Sequence, residues 1–273
     1  MCIRDRDWSL TPGQTIDGGT EALVIGATID DGRDAVVKLL VPRDGSNARE
    51  EAAVLAACGG EGCATLLRFD AARSALLIER LGPSMFDLGL PYERRLPILT
   101  DLAATVWRPP GDLSDVLPDG RAKADWLIDF IETEWDRLDR PCSRAAVDAA
   151  VAAAARRARA HDPGRAVLCH GDVHQWNALR AGDGWKLVDP DGLIAEPECD
   201  LGIILREDPD ELLSRGAAAT VAGVAARTGT DPEAIWDWAC AERVSTGLVA
   251  TAIDLQPVGR QMLAAADHLA TTA

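Results

Sequence analysis

Three oxygen-bearing side chains stand out in the stretch VLCHGDVHQWNALRAGDGWKLVDPDG, which runs from Val167 to Gly192. A short apolar strand precedes the loop that holds Asp172, and a hairpin of two strands separates Asn177 from Asp189. We therefore expect the three residues to converge at one end of the hairpin. Carboxylate and amide oxygens are ligands that Mg²⁺ accepts, with phosphate oxygens completing its shell. The segment predicts a site for a metal-bound phosphate.

The spacing of these residues is that of a phosphoryl-transfer loop. Asp172 precedes Asn177 by five positions, the interval found in the H-R-D-x-x-x-x-N loop of protein kinases. In that scheme Asp172 is the catalytic base, and Asn177 and Asp189 hold the metal ions. H-G-D alone is a weak signal, whereas H-G-D-x-H-x-x-N followed by an apolar strand and D-P-D-G is much stronger.

The first part of the chain offers the lysine that such chemistry needs. Lys38, in the strand-like run DAVVKLL, is the only lysine among the first 120 residues. The next predicted helix contains two adjacent glutamates that could hold the lysine. We favour Glu51 as its partner and keep Glu50 as the alternative.

Two further nucleotide contacts are predicted from weaker patterns. Gly18 and Gly19 lie between two strands and could cover phosphates with backbone N–H groups, although an ordinary turn explains them equally well. In LLIERLG, Glu79 and Leu81 occupy a hinge-like position where backbone atoms can bind adenine.

The elements that carry these residues predict an α+β fold of two lobes. Residues 1–81 read as β-β-β-α-β-β, and residues 82–273 read as mainly helical. The Trp126–Leu138 segment places Leu127, Ile131 and Trp135 on one apolar face, and Ser143 should cap the alanine-rich helix after it.

Composition narrows the class of protein. The 273-residue chain is 47% hydrophobic and carries a net charge of −16, which argues against binding to nucleic acid or to an anionic membrane surface. The seven scattered cysteines are expected to be reduced thiols, and the beginning of the chain lacks the apolar core of a signal peptide. We therefore expect a cytoplasmic protein without a membrane span. Residues 1–6 look like a non-native addition.

The motif region resembles a known family. CHGDVHQWNAL, followed by GWKLVDPDGLIAEPECDLG, is similar to the aminoglycoside phosphotransferases and most similar to their streptomycin 6-phosphotransferase group, which also includes hydroxyurea resistance kinases. The similarity is sharp from about Cys169 to Leu201 and looser around Lys38 and Glu51. Asp189-Pro190 departs from the Asp-Trp or Asp-Phe that is commoner in the broader family.

The resemblance implies a protein-kinase-like fold, ATP and Mg²⁺ as cofactors, and O-phosphorylation of a small cationic antibiotic. It assigns the roles given above to Asp172, Asn177, Asp189, Lys38 and Glu51, with supporting roles for His170, His174 and Asp200. An acidic surface would then steer a cationic substrate. The candidate substrate residues are Asp125, Asp129, Glu132, Asp191 and Glu196.

Some alternatives remain open at this point. A metabolic kinase of an amino sugar or amino alcohol would use the same scaffold, because fold does not determine function. A binding protein without turnover is disfavoured by the intact set of Asp172, Asn177, Asp189 and Lys38. For Asp191, both a supporting and a substrate-binding role remain open. Asp183 is expected only to stabilise the turn between the two strands. The chain could be a monomer or a homodimer.

Overall fold

The computed structural model describes residues 8–16, 22–41 and 47–272. It divides the chain into two compact units, which we describe separately. The first unit comprises the described residues of Met1–Leu88 together with Trp176–Asp191, and the second comprises Gly89–Gln175 and Gly192–Ala273, again as far as they are described. The α+β fold class predicted from the sequence is confirmed.

The first unit is built on an antiparallel sheet of five strands. The strands are β1 (Leu10–Ile16), β2 (Ala22–Ile29), β3 (Asp34–Leu40), β4 (Leu66–Asp70) and β5 (Ala75–Glu79), arranged in the order β1-β2-β3-β5-β4. Helix α1 (Asn47–Cys58) connects β3 to β4. One face of the sheet buries Leu10, Ala27, Ala35, Val37 and Leu77. Their alternation with residues of the other face is the period-2 pattern of a sheet with two different sides.

A second hairpin also belongs to the first unit. Strands β7 (Ala178–Ala181) and β8 (Gly184–Leu187) pair around a two-residue turn. The amide of Ala64 donates to the carbonyl of Leu187 at 2.8 Å, and the amide of Met85 donates to that of Ala178 at 2.9 Å. These bonds explain why residues 176–191 join the first unit, although the sequence placed them within the lobe 82–273.

The second unit is mainly helical. Its helices are α2 (Tyr92–Val106), α3 (Gly120–Arg137), α4 (Arg144–Ala160), α5 (Glu198–Arg206), α6 (Pro209–Arg215), α7 (Ala217–Thr228), α8 (Pro232–Ala252) and α9 (Val258–Thr272). Strands β6 (Val167–Cys169) and β9 (Leu193–Ala195) form a short antiparallel pair. Among the described residues, no helix is long and apolar enough to span a membrane.

The core of the second unit follows the predicted helix faces. Leu127, Ile131 and Trp135 of α3 are buried in one cluster with Trp238 of α8. Helix α4 contributes Ala146, Ala150 and Ala154, whose small side chains allow close packing. Ser143 Oγ accepts a hydrogen bond from the amide of Ala146 at 3.1 Å and thus caps α4 as expected.

Candidate active site

Lys38 lies in the central region of the sheet of the first unit. Its cross-strand neighbours are Val24 of β2 and Leu76 of β5. Its Nζ donates to Glu51 Oε2 of α1 at 2.8 Å and lies 2.9 Å from Asp189 Oδ1. Lys38 is 8% exposed and Glu51 is 3% exposed, so the ammonium is held in place with little access to water.

Burial shapes the ionisation of this pair. Removal from water raises the pKa of Glu51 to about 7 in spite of the opposing effect of Lys38. For Lys38, burial disfavours the ammonium, but the charges of Glu51 and Asp189 outweigh it and raise the pKa. The lysine therefore remains a fixed positive charge, as expected of a group that binds phosphate.

Asn177 and Asp189 flank the β7–β8 hairpin. The amide of Val188 donates to the carbonyl of Asn177 at 2.9 Å, which brings the residue before β7 next to the residues after β8. Asn177 is 8% exposed, and the side chain of Asp189 is 46% exposed. Asp189 has a φ of 58°, a left-handed conformation that an aspartate tolerates better than most residues. The Asp189 carboxylate is thus within reach of the Lys38 ammonium, and the backbone of Asn177 pairs with the residue before Asp189.

The predicted adenine contacts have different surroundings. The Glu79 carboxylate accepts from the amide and hydroxyl of Thr65, at 2.6 and 2.8 Å, and pairs with Lys186. Its side chain is therefore engaged within the first unit, and its backbone amide donates to the carbonyl of Thr65 at 3.0 Å. Leu81 follows the end of β5. Gly18 and Gly19 lie outside the described residues.

In the second unit, both oxygens of Asp172 have close partners. Oδ1 accepts a hydrogen bond from Arg206 Nη2 at 2.6 Å, and Oδ2 lies 3.0 Å from His174 Nε2. Burial alone would raise the pKa of Asp172, but His174 and Arg206 overcome this effect and hold the pKa well below its usual value. Asp172 is therefore a fixed carboxylate over the whole physiological range of pH.

The same contact alters His174. Burial disfavours the imidazolium, yet the Asp172 carboxylate outweighs burial and raises the pKa of His174. His174 thus fixes the orientation of the Asp172 carboxylate within the loop. The sequence suggested that His174 orients the loop, and the 3.0 Å contact supplies a physical route for that role.

Asp200 of α5 binds the backbone of the same loop. Its oxygens accept from the amides of Gly171 at 2.8 Å and His170 at 3.0 Å, and from the indole of Trp107 at 3.0 Å. Asp200 and His170 are both fully buried. Burial outweighs these hydrogen bonds and raises the pKa of Asp200 to about 6.

Sequence reasoning missed a network of charged residues that contacts Asp172 through Arg206. Arg206 also donates to Glu242 Oε2 at 3.2 Å and to Glu207 Oε1 at 3.3 Å, and Lys123 Nζ lies 3.1 Å from Glu242 Oε1. One signal was available: Arg206 ends the apolar run LGIILR, and a guanidinium that emerges from a buried helix needs anionic partners.

The candidate substrate residues do not form one group. Four of them are exposed: Asp125, Asp129, Glu132 and Asp191. The Asp125 carboxylate lies 3.9 Å from Arg121, and the Glu132 carboxylate lies 3.8 Å from Arg144. Glu196 instead accepts from the Trp238 indole at 2.8 Å and lies 3.5 Å from Arg157. The Glu196 carboxylate is thus engaged inside the second unit.

These arrangements match the needs of phosphoryl transfer. The first unit supplies a fixed cation with the carboxylates of Glu51 and Asp189 beside it, and the second supplies an oriented carboxylate. Such transfer depends mainly on positioning and on compensation of charge. Among the described residues, no group of three or more His, Cys, Asp or Glu is arranged to hold a metal ion.

Comparisons with known proteins agree with this chemistry. The streptomycin 6-kinase of Streptomyces griseus is 28% identical over 221 residues, which cover 78% of this chain and 68% of the relative. A thermostable mutant of aminoglycoside phosphotransferase APH(4)-Ia, solved with ADP and hygromycin B, superposes with a TM-score of 0.66 at 13% identity, covering 98% of this chain and 97% of the other. An ethanolamine kinase of Plasmodium vivax superposes with a TM-score of 0.60 at 15% identity, and the superposition covers 97% of this chain and 84% of the kinase.

The structural likeness confirms the predicted protein-kinase-like fold. Residues 7–253 match the sequence pattern of one family, and the match includes every residue assigned a role above. The prediction of an antibiotic-modifying phosphotransferase with an alcohol group as acceptor is thereby confirmed. The chain belongs to the aminoglycoside/hydroxyurea antibiotic resistance kinase family.

Proposed function

We propose that this kinase transfers the γ-phosphoryl group of ATP to a hydroxyl of a cationic aminoglycoside of the streptomycin type. The observation that carries the proposal is the Asp172 carboxylate, which Arg206 and His174 hold at both oxygens. A carboxylate fixed in this way can accept a hydrogen bond from an acceptor hydroxyl and orient it for attack. The similarity to a streptomycin 6-kinase supports the choice of acceptor.

The described residues fit a bound magnesium ion. Asn177 and Asp189 carry amide and carboxylate oxygens on either side of the β7–β8 hairpin, and these are donors that Mg²⁺ takes from proteins. Bound there, Mg²⁺ would neutralise negative charge on the nucleotide phosphates. We assign Lys38 to the same phosphates, with Glu51 holding the ammonium in place.

We assign Asp172 the role of the base. Its low pKa makes it a weak proton acceptor in the ground state, so its main work is to orient the hydroxyl. The hydroxyl proton becomes acidic as the bond to phosphorus forms, and Asp172 Oδ1 or Oδ2 can then receive it. Asp200 keeps the backbone of the loop in position through Gly171 and His170.

Release of ADP by the purified protein tests the proposed acceptor. We expect release with ATP and Mg²⁺ to depend on streptomycin, because the oriented carboxylate needs a bound hydroxyl. The control panel contains other aminoglycosides, amino sugars and choline-like alcohols. Turnover of a sugar or amino alcohol in place of every aminoglycoside would contradict the proposal and indicate a metabolic kinase. ADP release without a requirement for any acceptor would also contradict it.

A further inference from the structure

A buried carboxylate with one unused oxygen lies beside the base, on α8. Glu242 is 2% exposed, and its Oε2 accepts a hydrogen bond from Arg206 at 3.2 Å. Lys123 Nζ lies 3.1 Å from the other oxygen, Oε1, which accepts no hydrogen bond of normal geometry among the described residues. Buried carboxylate oxygens normally accept hydrogen bonds, so Oε1 has capacity for a better donor.

An aromatic ring lies on the other side of the lysine. Lys123 Nζ is 5.2 Å from the centre of the Trp126 ring, which is a cation–π distance. Trp126 is 50% exposed and stacks on Phe130, with ring centres 4.8 Å apart. The side chain of Lys123 is 22% exposed. The ammonium therefore lies between a buried anion and an indole, at a place that solvent reaches in part.

This position is close to the base within the second unit. The guanidinium of Arg206 connects Glu242 Oε2 to Asp172 Oδ1, to which it donates at 2.6 Å. A single guanidinium therefore separates the two carboxylates. An acceptor whose hydroxyl is bound to Asp172 would have its neighbouring cationic groups within reach of Glu242.

We propose that Glu242 and Trp126 form a subsite for a guanidinium or ammonium group of the acceptor, and that Lys123 occupies this subsite until the acceptor displaces it. This inference rests on the proposed function. A planar guanidinium presents paired N–H donors to a carboxylate and stacks on an indole, so it satisfies Oε1 better than the Lys123 ammonium does. The four-carbon side chain of Lys123 is flexible enough to swing into solvent.

Removal of the resident cation provides the test. The occupied subsite reduces the fraction of protein that is ready to bind, and this reduction weakens the apparent affinity. Lys123→Met should therefore lower the KM for streptomycin on the order of five-fold, with the KM for ATP unchanged. The matched control is Arg137→Met, which removes one positive charge from the same helix where Arg137 pairs with Glu134 at 2.6 Å. The KM for streptomycin of this control should match that of the wild type.

Three outcomes would overturn the subsite. The first two are an unchanged or a raised KM for streptomycin in Lys123→Met. The third is a KM for streptomycin that falls equally in Arg137→Met, which would indicate the effect of net charge alone. Lys123→Arg gives a second reading if the methionine variant does not fold. Its guanidinium should bind Glu242 more firmly and raise the KM for streptomycin, and a lowered KM would contradict the proposal.

The two proposals fail in different ways. A wild-type protein that phosphorylates none of the acceptors refutes the proposed function. The subsite is then judged by equilibrium titration with methylguanidinium chloride. This cation should bind Lys123→Met more tightly than Arg137→Met, and equal binding would refute the subsite.

Discussion

Both oxygens of Asp172 are engaged before any substrate arrives. Arg206 holds Oδ1 at 2.6 Å and His174 lies 3.0 Å from Oδ2. Free rotation of a carboxylate would spread the positions available to an acceptor hydroxyl, and small misplacements slow such reactions strongly. Because phosphoryl transfer needs orientation more than a strong base, the low pKa of Asp172 is compatible with catalysis.

Asp200 combines three hydrogen bonds with complete burial. The ionised carboxylate accepts hydrogen bonds from the amides of Gly171 and His170 and from the indole of Trp107. Its complete burial, however, destabilises the charged form. Its pKa of about 6 lies above the ordinary value of 3.8. Between about pH 4 and pH 6, Asp200 is therefore still protonated in the folded protein but already deprotonated in the unfolded chain.

The first prediction concerns the pH dependence of stability. A carboxyl group whose pKa is raised by folding stabilises the protein most below its unfolded pKa, and this contribution is lost as the pH rises to its folded pKa. As the pH rises from 4 to 6, the contribution of Asp200 to the free energy of unfolding should therefore fall by about 2 kcal/mol. Denaturation with urea at pH 4, 5 and 6 should show this slope in the wild type and a smaller slope in Asp200→Asn.

The control for this prediction is Asp183→Asn, in the exposed turn between β7 and β8. Its dependence on pH should follow that of the wild type. If Asp200→Asn also followed the wild type, Asp200 would not titrate in this window, and our account of its environment would be wrong.

At the scale of elements, the contact between α5 and α8 determines where Asp172 is held. Gly202 lies in the middle of α5, where a Cβ would lie 2.8 Å from the backbone nitrogen of Ala239 and closer still to Trp238. Helix α5 carries Asp200 before this contact and Arg206 after it. The missing side chain thus allows the close approach that puts Arg206 beside Asp172 and Glu242.

The second prediction concerns this contact. Gly202→Ala should destabilise the protein by about 1–3 kcal/mol, because the added methyl group meets backbone that cannot move aside cheaply. Turnover should fall as well, since α5 carries Arg206. Gly223→Ala in α7 is the matched control, because nothing lies within 4 Å of the added Cβ there. The control should gain about 0.5–1 kcal/mol from the higher helix propensity of alanine.

Thermal unfolding and ADP release measure both effects. A Gly202→Ala variant as stable and active as the control would show that the close approach of α5 and α8 is not needed.

The sequence predicted elements better than it predicted the contacts between them. Helix α1 occupies Asn47–Cys58, as expected, because its residues form a local pattern of helix formers. The network of Arg206, Glu242 and Lys123 was missed because its members are far apart in sequence and meet only after α3, α5 and α8 pack together. Local periodicity carries no information about such partners.

Across the whole chain, the predicted motif is divided between the two units. Asp172 belongs to the second unit, whereas Asn177 and Asp189 belong to the first. The sequence placed the three together because they lie within eighteen positions of one another. The proposed reaction therefore requires residues of both units, and loss of Asp172 in the second or of Asp189 in the first should each impair transfer severely. The net charge of −16 is consistent with an acceptor that is a cation.

The most direct test of the central claim is phosphoryl transfer to streptomycin by Asp172→Asn, measured beside ATP binding by the same protein. Asparagine keeps the shape of the side chain but cannot accept the hydroxyl proton as a carboxylate does. We expect turnover to fall by about three orders of magnitude or more, while the dissociation constant for ATP with Mg²⁺ stays within about two-fold of wild type. Wild-type turnover in Asp172→Asn would contradict the assignment of Asp172 as the catalytic base.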